Sequence, residues 1–343
     1  MSMTPKERVI NLIQGKGIDK IPACTGFGSV IVDGLKKYDL RFAHVHLDAQ
    51  EMADAAAATV ELAGLESAIV PFDMGVEAEA LGATLNTYAH SEDILYPTLK
   101  DKFVSKAEDI SLPSDIANAG RIPLVAEAIG KLKERVGDDA AVGSWMLGPF
   151  TLAGQVMDLN ELLKMSFKQP EEAEAILSKL SEMVIGVAKA YADAGADFLS
   201  LREMGATSDV LSPRSFKKQI KQFSEQILAA IDIPKVYHIC GDTNVIITDM
   251  ADIGADAVSV DQKNDLAASR EKIGEDVVLF GNLNPWEVFT EGTVDDVING
   301  VREAMGAGAD AVWPGCDMWP DTSVDNLKAW VKTQHEFEPR RKA

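Results

Sequence analysis

The sequence predicts a (β/α)8 TIM barrel, a single domain over residues 1–343 with a helical extension ahead of its first strand. Three observations carry that expectation. A phrase recurs in the C-terminal half: Ala194-Gly195-Ala196-Asp197 runs into FLSL, Ile253-Gly254-Ala255-Asp256 into AVSV, and Ala307-Gly308-Ala309-Asp310 into AVWP. Each copy follows an alanine-rich helical stretch and precedes a short apolar run, so it reads as helix, glycine cap, turn, strand. The unit is roughly 30 residues long, which suits a strand plus a crossover helix in a parallel sheet. Finally, no proline- or serine-rich linker divides the chain, and no GxGxxG or GxxxxGKS/T motif opens a helix. Doubly wound nucleotide-binding folds are thereby disfavoured.

In chain order, Thr4–Gln14 reads as a helix laid before the first strand, with Thr4 capping and Pro5 at its first position. Ile21–Thr25 (IPACT) is the first strand candidate, Ala68–Phe72 (AIVPF) the second and Ala140–Leu147 (AAVGSWML) the third, with helices such as Asp48–Ala63 between them. A long helix over Pro170–Ala190 leads into FLSL. Then come Lys235–Cys240 (KVYHIC), AVSV, Val277–Asn282 (VVLFGN) and AVWP. The tail Glu338–Ala343 is expected to fray.

Charge narrows the partners. Lysine and arginine total 33 against 54 acids, for a net −21, which repels nucleic acid and anionic membrane surfaces alike. No apolar run approaches the ~18 residues of a membrane span, and Met1–Ile10 is too polar for a signal peptide. The expectation is a soluble, cytoplasmic protein. Cys24, Cys240 and Cys316 make no disulfide framework in a chain of this size, so their candidate roles are ligand, nucleophile or packing.

A barrel carries its chemistry at the C-terminal ends of its strands. Those ends hold Asp73, Glu203, His238 with Cys240, Asp261, Asn282 and Cys316. His238 and Cys240 are two apart on a strand and share a face. Alone, such a pair is more often packing than ligation. With Cys316 at another strand end, it becomes a His-Cys-Cys set of the kind zinc prefers, with a fourth position open. Cys24 is expected to be buried and inert. Asp73 is either a pocket acid or a cap. Asp261 is a fourth ligand, an acceptor from the His238 imidazole, or a helix cap, and Glu203 is equally open. His44, His46, His90 and His335 read as solvated surface. Trp145, Met146, Trp313, Met318 and Trp319 fall near strand ends and serve either as core or as the walls of a cofactor pocket.

With His238-Ile239-Cys240-Gly241 and Pro314-Gly315-Cys316 in view, the sequence resembles the uroporphyrinogen decarboxylase superfamily. Within it, the chain is most similar to the methylcobamide:coenzyme M methyltransferases. The resemblance runs from TPKERVINLIQGKGIDKIP through PFDMGVEAEALG, GPFTLAG and GADFLSLRE to HICGDTNVIITDMADIGADAVSVDQK, GNLNPWEVF and WPGCDMWPDTSVDN, nearly the whole chain. It implies a catalytic Zn2+ on His238, Cys240 and Cys316, with Asp261 near the metal and Asp73 and Glu203 as candidate pocket acids. It also implies a methylated corrinoid (cobalamin) on a carrier protein as co-substrate and a small thiol as acceptor. The same constellation suits an alternative, an O-demethylase type of reaction that passes a methyl from a methyl ether to a Co(I) corrinoid protein. A non-catalytic corrinoid-binding barrel is a third reading. Decarboxylation is disfavoured, because ACTGFGS after the first strand has none of the arginines those enzymes use there, and GPFTLAGQVMDLN lacks their tyrosine.

Overall fold

The computed structural model describes residues 2–343. Six parallel strands pair in sequence order: Ser67–Val70, Ala141–Leu147, Phe198–Arg202, Lys235–Ile239, Ala257–Val260 and Val278–Phe280. Nearly every residue of these strands is buried, as expected where helices cover one face of a parallel sheet and its own core fills the other. Parallel bridges from Phe280 to Ala311 and from Leu283 to Pro314 carry the sheet onto the last expected segment, AVWP. The order and the crossover helices are those of a (β/α)8 barrel.

The repeated phrase has a physical cause. Gly195, Gly254 and Gly308 all sit at positive φ (100°, 89° and 107°), turning the chain out of a helix. The aspartate two residues later then bonds the preceding strand twice. Its N–H donates to the carbonyl of Val142, Lys235 or Leu279, and its carboxylate accepts the N–H of that same residue. Glu66 does likewise for Ala23, with both bonds at 2.8 Å. A carboxylate at each of these strand starts thus sets the register before the regular ladder begins.

The first expected strand, Ile21–Thr25, is buried but is no ladder strand. Side chains hold it on one flank: Thr25 N–H donates to Ser67 Oγ at 2.8 Å, and that hydroxyl donates back to the Thr25 carbonyl at 3.0 Å. On the other flank Gln334, from the helix Val324–Gln334, closes the ring. Its Nε2 donates to the Pro22 carbonyl at 2.5 Å, while its Oε1 accepts from Val312 N–H at 3.0 Å and from Trp330 Nε1 at 2.9 Å. All of these groups are buried. Gln334→Ala strands a carbonyl and two donors, so we expect a loss of about 2–4 kcal/mol in urea unfolding with little change in the ladder strands.

Other expectations hold with small shifts. The leading helix spans Pro5–Ile13 with a Thr4/Glu7 capping box, the helix expected over Asp48–Ala63 spans Ala49–Ala63 capped by Asp48, and the long one spans Pro170–Asp193. The tail is a correction. It does not fray: Ile18 N–H donates to the Arg341 carbonyl at 3.0 Å, and Arg341 Nη1 donates to Asp310 at 2.9 Å. Among the described residues no helix is long and apolar enough to cross a membrane. The buried apolar side chains form one continuous core, and Trp145 and Trp313 belong to it.

Candidate metal centre and cavity

Strand register builds the candidate site. Arg202 pairs with His238, and His238 with Ser259, so three side chains from adjacent strands stand abreast inside the ring. Cys240 follows the Lys235–Ile239 strand directly, two residues beyond His238. His238 Nε2 lies 2.9 Å from Cys240 Sγ, which lies 3.0 Å from Cys316 Sγ. Among the described residues, these three are the group whose donor atoms fall within 4.8 Å of one another. That span suits a tetrahedral ion with bonds of ~2.0–2.3 Å, and one imidazole with two thiolates is a donor set that fits zinc.

Burial lowers the pKa of His238 well below its usual value, and the Arg202 cation lowers it further, so the imidazole is neutral. Its Nδ1 faces Ser259 Oγ at 3.1 Å and the Ser259 carbonyl at 3.2 Å, which turns Nε2 toward the sulfurs. The contact between the sulfurs favours the thiolate on Cys316 and leaves the proton with Cys240. Cys24 lies elsewhere in the core, fully buried, where desolvation pushes its thiol far above the usual range.

Beside the trio a cavity of about 530 Å³ opens at the C-terminal ends of the strands. Cys316, Asp317, Met318 and Trp319 form one wall and Phe72, Asp73 and Met74 another, with Tyr96 and Leu99 facing them. The lining is largely apolar. Trp319 is half exposed at the rim and meets Trp286 edge to face at 5.0 Å. Met318 and Trp319 thus fall on the pocket side of the choice left open by sequence, and Trp145, Met146 and Trp313 on the core side.

The three acids part company. Asp73 borders the cavity yet is fully engaged. Arg121 grips it with two bonds of 2.8 and 2.9 Å, His46 Nδ1 stands 3.0 Å away, and Gly75 N–H donates at 2.9 Å. Burial alone would raise its pKa, but His46 and Arg121 hold the carboxyl well below the ordinary 3.8. Glu203 is fully buried and does not line the cavity. Its carboxylate accepts from Phe150 N–H, Thr151 N–H and Thr151 Oγ1, anchoring the first turn of the helix Pro149–Val156, and burial pushes it up to about 7. Asp261 accepts from Lys263 N–H at 3.0 Å and lies outside the His-Cys-Cys group, and the imidazole acceptor is Ser259. Asn282 knits the same loop, donating to the carbonyls of Asp261 and Asn264.

Two further groups escaped the sequence reading. His46 is fully buried against Asp73, a correction to its reading as solvated surface; His335 is half-buried on Glu66 at 2.9 Å, and His44 is half-buried against the Ala89 carbonyl. His90 is exposed as expected. Arg202 is fully buried beside the trio, its guanidinium 4.9 Å from the Phe27 ring centre and 4.5 Å from that of Trp145. The alternation of a strand contained the signal, since Ser200 and Arg202 share the face opposite to Leu199 and Leu201.

Comparison with known proteins gives a consistent outcome. The uroporphyrinogen decarboxylase (URO-D) family matches residues 4–337. The methylcobamide:CoM methyltransferase MtaA of Methanosarcina barkeri is 32% identical over 336 residues, covering 97% of this chain and 98% of that protein. A methylated-thiol–coenzyme M methyltransferase of Methanosarcina mazei is 28% identical over 97% of this chain and 90% of its own length. A solved methyltransferase from Methanosarcina mazei superposes with a TM-score of 0.92 at 31% identity, over 98% of this chain and 99% of that one.

Proposed function

This chain belongs to the uroporphyrinogen decarboxylase family, and on that premise we propose that it is a zinc-dependent corrinoid methyltransferase. It moves a methyl group from a methyl-Co(III) corrinoid, carried by a partner protein, to the sulfur of a small thiol such as coenzyme M. The observation that supports this most is the convergence of His238, Cys240 and Cys316 on one point beside an open cavity. Its methyltransferase relatives, similar along their whole length, support it as well.

Zinc bound to the trio would supply an electron-rich thiolate at neutral pH, where a free thiol of pKa ~8.5 supplies little. The chain's own residues prepare the place. Ser259 fixes the imidazole tautomer, and burial beside Arg202 keeps His238 neutral and able to ligate. Asp261 stands at the end of the next strand and, held by Lys263 N–H, takes the role of holding water in the resting site. Asp73, saturated by Arg121 and His46, shapes the cavity wall and takes no proton. In the transfer the sulfur lone pair would form the new S–C bond, the pair of the broken Co–C bond would stay with the carrier's corrinoid, and the thiol proton would go to solvent.

Zinc-loaded protein given free methylcobalamin without oxygen is expected to produce the Co(I) spectrum only when 2-mercaptoethanesulfonate is added. The aromatic lining of Phe72, Tyr96 and Trp319 favours one second reading, transfer from an aromatic methyl ether to Co(I). Absence of thiol-dependent conversion, from protein shown to hold one zinc, would transfer the assignment to that reaction.

A further inference from the structure

We propose that Arg202 recognises the anionic end of the small substrate, and that Asp317 keeps the place of that anion until it arrives. The inference rests on the thiol reading above and narrows it to short thiols bearing a sulfonate or a carboxylate.

Arg202 has no exposure to solvent. Its fork is closed on Asp317, with Nη1 to Oδ1 at 2.9 Å and Nη2 to Oδ2 at 2.5 Å; Nη2 also lies 3.5 Å from Met204 Sδ, and Nε has no partner. A guanidinium buried this deeply between Phe27 and Trp145 requires an anion on its fork at all times. The two members of the pair are unequally placed. The Asp317 side chain is 43% exposed, follows Cys316 directly and borders the cavity. It can turn into water at small cost, whereas Arg202 is fixed. An anion entering through the cavity therefore exchanges with Asp317 on a preformed fork whose geometry suits a carboxylate or two sulfonate oxygens.

Register sets the length of such a substrate. Arg202 is the direct cross-strand partner of His238, and neighbouring strands lie ~4.8 Å apart, so only a short linker joins a sulfur at the trio to an anion at the fork. Arg202 stands behind Asp317 and does not itself line the cavity; Lys102, the cation that does, is committed to the carbonyls of Gly154 and Gln155 at 2.7 and 2.6 Å.

A simpler role for the pair is a static brace on the Cys316 loop, and one substitution separates the two. Asp317→Asn keeps the shape but removes the resident charge. A brace predicts weaker anion binding or none, while exchange predicts tighter binding. Calorimetric titration with ethanesulfonate, which has no thiol and undergoes no methyl transfer, reads this directly on the protein as purified. We expect measurable binding to the unsubstituted protein, tighter binding to Asp317→Asn, and weakening on the order of 10- to 100-fold in Arg202→Gln. Arg202→Lys keeps the charge without the fork and should fall between. In turnover, the preference for 2-mercaptoethanesulfonate and 3-mercaptopropionate over 2-mercaptoethanol and cysteamine should collapse in Arg202→Gln. Should Arg202→Gln fail to fold, Asp317→Asn and the thiol series on the unsubstituted protein still decide. Weaker binding in Asp317→Asn, no ethanesulfonate binding, or equal use of charged and neutral thiols overturns the proposal. Arg202-dependent ethanesulfonate binding without methylation of any thiol would instead sink the thiol reading and leave the anion site standing.

Discussion

Cys316→Ala is expected to abolish stoichiometric zinc and to lower thiol-dependent turnover by more than about 100-fold. Only His238 and Cys240 remain to hold an ion, and two donors do not close a tetrahedral site. Of the three side chains Cys316 is also the one that borders the cavity, so its loss would open the proposed centre on the cavity side. The fold should survive, because this side chain is only partly buried and lies in a loop after the last parallel bridge. Metal analysis after dialysis, with circular dichroism as the fold control, reads the outcome. Cys24→Ala supplies the contrast: it empties a small core volume and should leave the zinc content at one per chain. Full zinc and full activity in Cys316→Ala would remove the basis of the proposed site.

Arg121→Ala should be the most destabilising single change near the cavity, at about 3–5 kcal/mol. Arg121 makes both bonds to Asp73, a third to Glu79 at 2.6 Å and a fourth to the His46 carbonyl at 3.0 Å. Without it Asp73 is a buried carboxylate with only His46 and Gly75 N–H to satisfy it. The sign with pH follows from the direction of the shift. Asp73 has a folded-state pKa below its ordinary 3.8, so its contribution is complete above about pH 4 and is lost as the pH falls through the folded-state value. The gap between Arg121→Ala and the unsubstituted protein in urea unfolding should therefore be full at pH 7 and shrink in acid. A gap that stayed constant down to pH 3 would assign the loss to packing and not to charge.

What was legible in the sequence was legible for local reasons. The Gly-Ala-Asp phrase is visible because one turn geometry and one carboxylate-to-strand bond recur at each of its sites. His238 and Cys240 could be placed on one face because a strand alternates with a period of two, and Cys316 because it ends a segment of the same ring. The partners of Asp73 could not be read this way. His46 and Arg121 lie 27 and 48 residues from it, in a short helical turn and at a helix start, where no periodicity says which way a side chain points. The partners of Glu203 are hidden in the sequence for a related reason. It follows the strand directly, where the chain turns, and its carboxylate meets the first turn of the Pro149–Val156 helix, while Arg202 one position earlier faces the ring interior. Ile21–Thr25 reads as a ladder strand because IPACT has the composition of one, whereas its neighbours bond it through Ser67, Glu66 and Gln334.

The seam at Gln334 also has a consequence for how the molecule is made. During synthesis the segment Ile21–Thr25 leaves the ribosome long before the helix that carries its closing amide. Until Gln334 has emerged, the Pro22 carbonyl and the Val312 N–H lack the group that joins them. The nascent chain can assemble its parallel ladder strand by strand, but the circle closes only when this late residue arrives. A chain arrested just before Gln334 should therefore remain open along one line and be sensitive to proteases there, while the rest of the sheet is already protected.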